Sequence, residues 1–235
     1  MKLLAFDTST ERMSLAVQTG SGAGTQCWRH EGEGGARTSA HLIPCIEALM
    51  AQAGLGFGHL DAIVFGCGPG SFTGLRTACA VAQGLAWGAG VPVLPVDTLL
   101  AVAEQARFAH TPAEQSCQVL ALLDARMDEL YWGRYAYRHG LWQSLGTPAL
   151  VQPEQVPAEP GDWLAGLVPE AYVARLPAGM VWPVPALPTA DALLRLAPAL
   201  LAAGGALPAE QALPTYVRNQ VAKTTLERAA GKAAL

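Results

Sequence analysis

Between residues 60 and 97 the sequence reads as one strand–loop–helix–strand unit. "LDAIVFG" is an apolar run of strand length, and "CGPGSFTGLR" follows with glycines at 68, 70 and 74. A helix then runs from about Phe72 to Ala89, stopped by Gly88 and Gly90, and "VPVLPVD" returns as a strand. Upstream, "KLLAFDTS", "MSLAVQTG" and "TQCWRHEG" are closely spaced strands that read as an antiparallel meander. Between the two lie a flexible Gly-rich connection, "EGEGGARTS", and a helix, "AHLIPCIEALMAQAG", that Thr38 or Ser39 can cap and Gly54 stops. Pro44 falls in its first turns, where few ladder bonds are lost. Asp97 or Thr98 can cap the next helix, "LLAVAEQARFA". A meander followed by alternating helices and strands predicts a mixed α/β sheet rather than an all-parallel one.

A polar stretch around Pro112 marks a boundary. Beyond it "QVLALLDAR" and "ELYWGRYAYRHGLWQ" read as strands of a second, smaller sheet, followed by a Pro- and Ala-rich region with a clear helix at about Ala190–Ala203. The expected division is a first lobe over 1–110, a second over 111–213 and an extended, then weakly helical tail over 214–235. No internal repeat points to a solenoid.

Hydrophobic residues make up 51% of the 235 and charged residues 14%, against the roughly 25% charged share usual for soluble domains. The longest apolar stretch, Thr77–Val96, is broken by Gly84, Gly88, Gly90, Pro92 and Pro95 and is not a membrane span. So little charge without a span points to apolar surface hidden against a partner. The first ten residues hold one Lys and a short apolar run, unlike a secretory signal. The five cysteines are scattered with no C-x-x-C pair, as expected in a reducing cytoplasm. A net charge of −4 argues against strong nucleic-acid binding by the chain alone.

Two stretches carry candidate chemistry. In the glycine loop, Gly68 and Gly70 make a sharp turn, Ser71 is a natural N-cap, and Thr73 and Gly74 open the helix. Free N–H groups at such an end can hold an anion. The Walker spacing and the G-x-G-x-x-G spacing are both absent, so spacing alone favours a tight strand-to-helix turn over an anion site. The first strand ends in "DTST", where Asp7, Thr8 and Ser9 suit Mg²⁺ or phosphate contacts, or an Asx turn. The five histidines form no H-E-x-x-H pair, no G-x-S-x-G elbow exists, and the acidic "DARMDE" (Asp124, Asp128, Glu129) reads as a solvated turn ahead of the alternative, an acid/base set.

The helices near 40–53 and 72–89 each carry one formal charge, Glu47 and Arg76. An ordinary helix on a sheet shows a charged outer face. These two are expected to form a protein–protein interface, through Leu42, Ile43, Ile46, Leu49 and Met50 on the first helix and Arg76, Cys79, Ala82, Gln83 and Ala86 on the second. A charge at Ala82 is expected to disrupt assembly and spare the fold.

"LLAFDTST", "GCGPGSFTGLRTACAVAQGLA", "PVDTLLAVAEQA", "LLDARMDELYWGRY" and "LPTYVRNQVAK" resemble, in order and over nearly the whole chain, the TsaB (YeaZ) family. "GPGSFTGLR" and "DARMDELYW" are the most specific parts. The resemblance implies an actin-like, ribonuclease-H-like fold in two lobes. It also implies a role in making threonylcarbamoyladenosine in tRNA, as the non-catalytic subunit that pairs with its paralogue TsaD and with the ATPase TsaE. It implies a homodimer when the partner is absent, contact with tRNA only through the complex, and the two flagged helices as the dimer surface. Thr38 stands where relatives often keep a histidine, and His41 is three residues out of register, so no metal site is expected. "LLDARMDE" has Asp124 but no glycine two residues on, so the second phosphate loop of an ATPase is missing. No cofactor is then required, and a weak or interface-shared ATP or ADP with Mg²⁺ would touch Asp7, Thr8, Ser9, Gly68, Gly70, Ser71, Thr73 and Gly74. The alternatives are an autonomous actin-like ATPase or kinase, which the missing second loop disfavours, and a metallopeptidase, which the missing histidine pair disfavours. Arg218, Lys223, Arg228 and Lys232 make the tail locally basic, a minor candidate for tRNA contact.

Overall fold

A computed structural model describes residues 1–20, 22–110, 116–177 and 184–218. The first sheet has the strand order β3-β2-β1-β4-β5, built from β1 (Leu3–Asp7), β2 (Arg12–Thr19), β3 (Gln26–Glu33), β4 (Ala62–Gly68) and β5 (Val93–Asp97). β1, β2 and β3 are antiparallel neighbours, whereas β4 and β5 run parallel to β1. The mixed sheet expected from sequence is therefore present.

Alternation along β1 sets the layers. Leu4 and Phe6 face α1 (Thr38–Gln52) and α2 (Phe72–Ala89), whose Leu42, Ile46, Leu49, Met50, Ala78, Ala82 and Ala86 complete one core. Leu3 and Ala5 face the other way. There α5 (Ala190–Ala202) supplies Leu193, Leu194, Leu196 and Ala197, and Ala101 joins from α3 (Thr98–His110). Helix α5 falls within the stretch assigned to the second lobe from sequence, yet it covers the first sheet.

The second sheet repeats part of this plan. β6 (Cys117–Arg126), β7 (Glu129–Arg138) and β8 (Leu141–Ser144) form an antiparallel meander, and β10 (Asp162–Leu167) lies parallel to β6. A short β9 (Ala149–Val151) pairs with β7. Helix α3 is the shared layer: its Leu99, Val102, Ala103 and Ala106 meet Val119, Ala121 and Leu123 of β6. Across that joint the buried Glu104 carboxylate accepts from Arg107 Nε at 2.8 Å, Trp142 Nε1 at 2.9 Å and Arg195 Nε at 2.8 Å, tying α3 to β8 and α5. Burial alone would push the Glu104 carboxyl up, but the bonds from Arg107 and Trp142 hold it below its ordinary value.

Helix ends depart from expectation in two places. Thr38 and Ser39 do not cap α1 but lie inside it, because a 3-10 turn over Gly35–Arg37 leads straight in and the Thr38 N–H donates to the Gly35 carbonyl. Ser71 precedes α2 without a side-chain cap. Asp97 caps α3 as expected, accepting from Leu99 N at 2.8 Å and Leu100 N at 3.4 Å. Gly90, at φ +67°, ends α2 in the left-handed region that favours glycine. Among the described residues no helix is long and apolar enough to cross a membrane.

Candidate functional site

Three turns converge on a cleft of about 580 Å³. The β1–β2 turn brings Ser9, Thr10 and Glu11, and the β4–α2 loop brings Pro69, Gly70 and Ser71. The β6–β7 turn brings Asp124, Ala125, Arg126 and Met127. The remaining walls are largely apolar: Phe72, Leu75, Leu123, Tyr131, Leu167, Val168 and an extended strap over Thr215–Arg218. The Arg126 guanidinium reaches across to Glu11 at 2.7 Å, so an ion pair links the two sheets at the cleft.

The first two turns are locked to each other by hydrogen bonds to backbone carbonyls. Ser71 N donates to the Ser9 carbonyl at 2.7 Å, and Thr8 Oγ1 donates to the Gly74 carbonyl at 2.7 Å. A Cβ on Gly74 would stand 1.8 Å from the Thr8 carbonyl oxygen, and one on Gly70 2.6 Å from that of Ser9. These glycines let the loop and the first turn of α2 lie directly on the β1–β2 turn. Gly68, at φ +119°, donates its N–H to Thr98 Oγ1 at 3.1 Å, and a Cβ there would meet the Thr215 carbonyl at 2.5 Å.

Asp7 is 1% exposed and is not part of the cleft lining. Its Oδ1 accepts from Ser9 N at 2.9 Å and Ser9 Oγ at 2.7 Å, an Asx turn, while Oδ2 has no hydrogen-bond partner and rests against Gly66. Burial pushes its carboxyl up to about 6, against the opposing pull of the Ser9 bonds. A Cβ on Gly66 would come within 1.8 Å of Oδ2, so that glycine makes room for the carboxylate.

Of the eight residues expected to hold a nucleotide, Ser9, Gly70 and Ser71 line the cleft. Asp7, Thr8 and Gly74 are brought together but are buried in the joint between the two loops, Gly68 is buried at the end of β4, and Thr73 is exposed on α2. In the second sheet the β6–β7 turn offers no glycine loop. Arg126, Met127 and Asp128 all sit at positive φ (59°, 56° and 66°), held by Asp128 to Arg175 and by Arg218 to the Ala125 carbonyl at 3.1 Å. The acidic cluster is charge-balanced as a turn: Asp124 meets Arg126, Asp128 meets Arg175 and Glu129 meets Arg218. The residues present do not fit a complete ATP–Mg²⁺ clamp: Asp7, the carboxylate expected to meet the cation, is packed away from the cleft, and of the cleft carboxylates Glu11 and Asp124 are paired with Arg126. Among the described residues no group of three or more His, Cys, Asp or Glu could hold a metal ion.

The expected interface residues need correction. Leu42, Ile46, Leu49, Met50, Cys79, Ala82 and Ala86 are all buried in the chain's own core, against the Leu4–Phe6 face of the first sheet. A charge at Ala82 would therefore break the fold. Ile43 (42% exposed), Arg76 and Gln83 remain accessible to differing degrees. The outer face of α2 is a different stripe: Phe72, Thr73, Arg76, Ala80, Gly84 and Trp87, the last 70% exposed. On α1 the outer face holds Ala40, Ile43, Pro44, Glu47, Ala48 and Ala51. Where α2 meets the cleft, the Arg76 guanidinium lies 3.8 Å over the Phe72 ring and its Nε donates to Tyr216 OH at 2.9 Å.

Sequence reasoning missed the strap. Thr215 N donates to the Cys67 carbonyl at 2.7 Å and Arg218 closes the back of the β6–β7 turn. Nothing local announces contacts between segments about 90 to 150 positions apart. Of the four basic tail residues, only Arg218 lies within the described residues, and it is committed to Glu129.

Comparison with known proteins places this architecture. Residues 34–166 match the family model for TsaD, tRNA N6-adenosine threonylcarbamoyltransferase. The chain is 32% identical, over 94% of its length and 96% of the relative's, to the tRNA threonylcarbamoyladenosine biosynthesis protein TsaB of Escherichia coli. It is 34% identical to the Haemophilus influenzae protein of the same name, covering 94% and 95%. The solved structure of YeaZ from Pseudomonas aeruginosa is 40% identical and superposes with a TM-score of 0.78, covering 92% of this chain and 99% of that one. With two meander-based sheets, joined cores and this likeness over nearly its whole length, the chain has the actin-like, ribonuclease-H-like fold and belongs to the TsaB (YeaZ) family.

Proposed function

We propose that this chain serves tRNA threonylcarbamoyladenosine biosynthesis as a docking subunit without catalysis of its own. Its partner is a catalytic paralogue of the TsaD type, joined by the ATPase TsaE, in the cytoplasm; alone, the chain pairs with a second copy. The reading rests on the family and on one observation: α2 presents a slim, nearly uncharged outer stripe, with Ala80 and Gly84 between Arg76 and Trp87. Small residues let a second helix approach closely, and a flanking Arg and Trp are the residue types that anchor interfaces. The incomplete phosphate grip of the cleft supports a supporting role over turnover. No resident cofactor is needed, and any ATP or ADP is weak or shared with the partner. tRNA is reached through the complex.

The test is Gly84→Arg. A Cβ at Gly84 meets nothing within 4 Å, and Arg is a better helix former than Gly, so the fold is retained. Co-elution with the TsaD-type paralogue is expected to weaken at least about tenfold in Kd, about 1.4 kcal/mol. Unchanged affinity, with unchanged thermal stability, would contradict the reading.

A further inference from the structure

The five cysteines do not share one environment. Cys67 is buried and pushed up to about 11, by burial first. Cys79 is buried and donates to the Ala212 carbonyl at 2.9 Å. Burial also raises the Cys27 and Cys117 thiols, against the pull of Arg29 and Arg107 respectively. Cys45 differs: it is half-exposed on α1, and its Sγ lies 3.4 Å from Nε2 of His30, also half-exposed on the neighbouring strand β3.

The two side chains come from different elements, and their meeting depends on local packing. On β3, His30 is followed two residues later by Gly32, where a Cβ would stand 3.2 Å from His30 Nε2 and 3.2 Å from the Met13 methyl group. The absence of a side chain at 32 leaves the imidazole the room in which it meets the thiol. A thiol paired with an imidazole nitrogen is the arrangement by which a cysteine is activated, because the ring takes the proton and the thiolate is the nucleophile. Neither the proposed docking function nor the cleft uses this pair. It borders the outer face of α1, one residue from Pro44 and two from Ile43.

We propose that Cys45 and His30 form a thiol-exchange site that takes a low-molecular-weight disulfide such as oxidised glutathione. His30 Nε2 accepts the Cys45 proton, and the thiolate sulfur attacks one sulfur of the disulfide. The disulfide S–S bond breaks as the mixed disulfide to Cys45 forms. The released glutathione thiolate takes the proton from the imidazolium. One thiol and one disulfide are converted into one mixed disulfide and one thiol, and no further oxidant enters. The proposal rests on this chain's own residues and not on the partner reading.

The test uses the full-length chain with oxidised glutathione at neutral pH and peptide mapping by mass spectrometry. The adduct is expected on Cys45 ahead of Cys27, Cys67, Cys79 and Cys117. His30→Gln is expected to lower the Cys45 rate about tenfold or more, as for loss of a positioned base. Iodoacetamide alkylation of the same two proteins separates activation from fit of the disulfide, and near-identical melting curves show that the variant is folded. Labelling spread over the cysteines according to exposure alone, or a Cys45 rate that His30→Gln leaves unchanged with both reagents, would overturn the proposal. If the variant fails to fold, Gly32→Ala gives a second route. It crowds the His30 ring and is expected to slow Cys45 labelling; an unchanged rate in a folded Gly32→Ala protein would equally overturn it.

Discussion

The two sheets begin alike and end differently at the cleft. In each, an antiparallel meander sends its first turn to the cleft and a parallel strand follows, β4 in one and β10 in the other. In the first, the opening strand ends at Asp7, which is buried, and the parallel strand runs through a glycine loop into the 18-residue α2. In the second, the corresponding carboxylate, Asp124, is half-exposed and paired with Arg126, and β10 leads only to Val168, Pro169 and the four-residue α4 (Glu170–Val173). One half has therefore kept the tight joint between turn, loop and helix, while the other has become an arginine-laced wall. A two-sided phosphate clamp needs both halves, so the difference favours a chain that positions a helix for a partner over one that turns over nucleotide.

The comparison breaks most sharply at Gly74. Gly74→Ala would drive a methyl group into the Thr8 carbonyl, so it is expected to cost more than about 4 kcal/mol, the range of exceptional single changes, or to prevent folding. On the same helix Gly84→Ala, in open space, is expected to stabilise by up to about 1 kcal/mol. Denaturant titration of the pair measures this. Equal, small effects would show that the loop does not clamp α2 to the first turn.

The two carboxylates sharpen the contrast by a smaller amount. The Asp7 carboxyl is raised from its ordinary 3.8 to about 6 by burial. The folded state therefore holds its proton where the unfolded state has lost it, and stability falls as pH rises through that window, by about 3 kcal/mol in all. Asp7→Asn removes the ionisation. It is expected to leave stability near the parent value at pH 4 and to raise it at pH 8 by up to that amount. Asp124→Asn, which loosens only a partly exposed pair, is expected to change stability by less than about 1 kcal/mol at either pH. Melting temperatures of both variants and the parent at the two pH values decide it, and an effect of Asp7→Asn that is the same at pH 4 and pH 8 would contradict the burial account.

Much of this fold was legible in local pattern. The bounds of α2 agree with the sequence reading because strand-length apolar runs bracket it and Gly90 supplies the left-handed stop. Which side of α1 and α2 faces inward was not legible. Both helices are poor in charge all round, so polarity gives no direction. The choice is made by Leu4 and Phe6, on a strand more than 30 residues before α1 and more than 60 before α2. Leu42 and Ala82, which sequence alone points toward a partner, belong to the core, while Ala80, Gly84 and Trp87 form the open stripe. The site was half legible. "DTST" and "GPGSFTG" do meet, but their meeting is a backbone joint, with Thr8 and Gly74 spent on packing. The Thr215–Arg218 strap and the Thr98 contact to Gly68 connect distant segments and leave no local signature.

The most direct measurement is formation of threonylcarbamoyladenosine on tRNA by the TsaD-type paralogue and TsaE, with the wild-type chain, with Gly84→Arg and with no chain added. The account predicts full modification with the wild-type chain and loss of most of it in the other two cases. Modification that proceeds equally without this chain, or equally with Gly84→Arg, would contradict it.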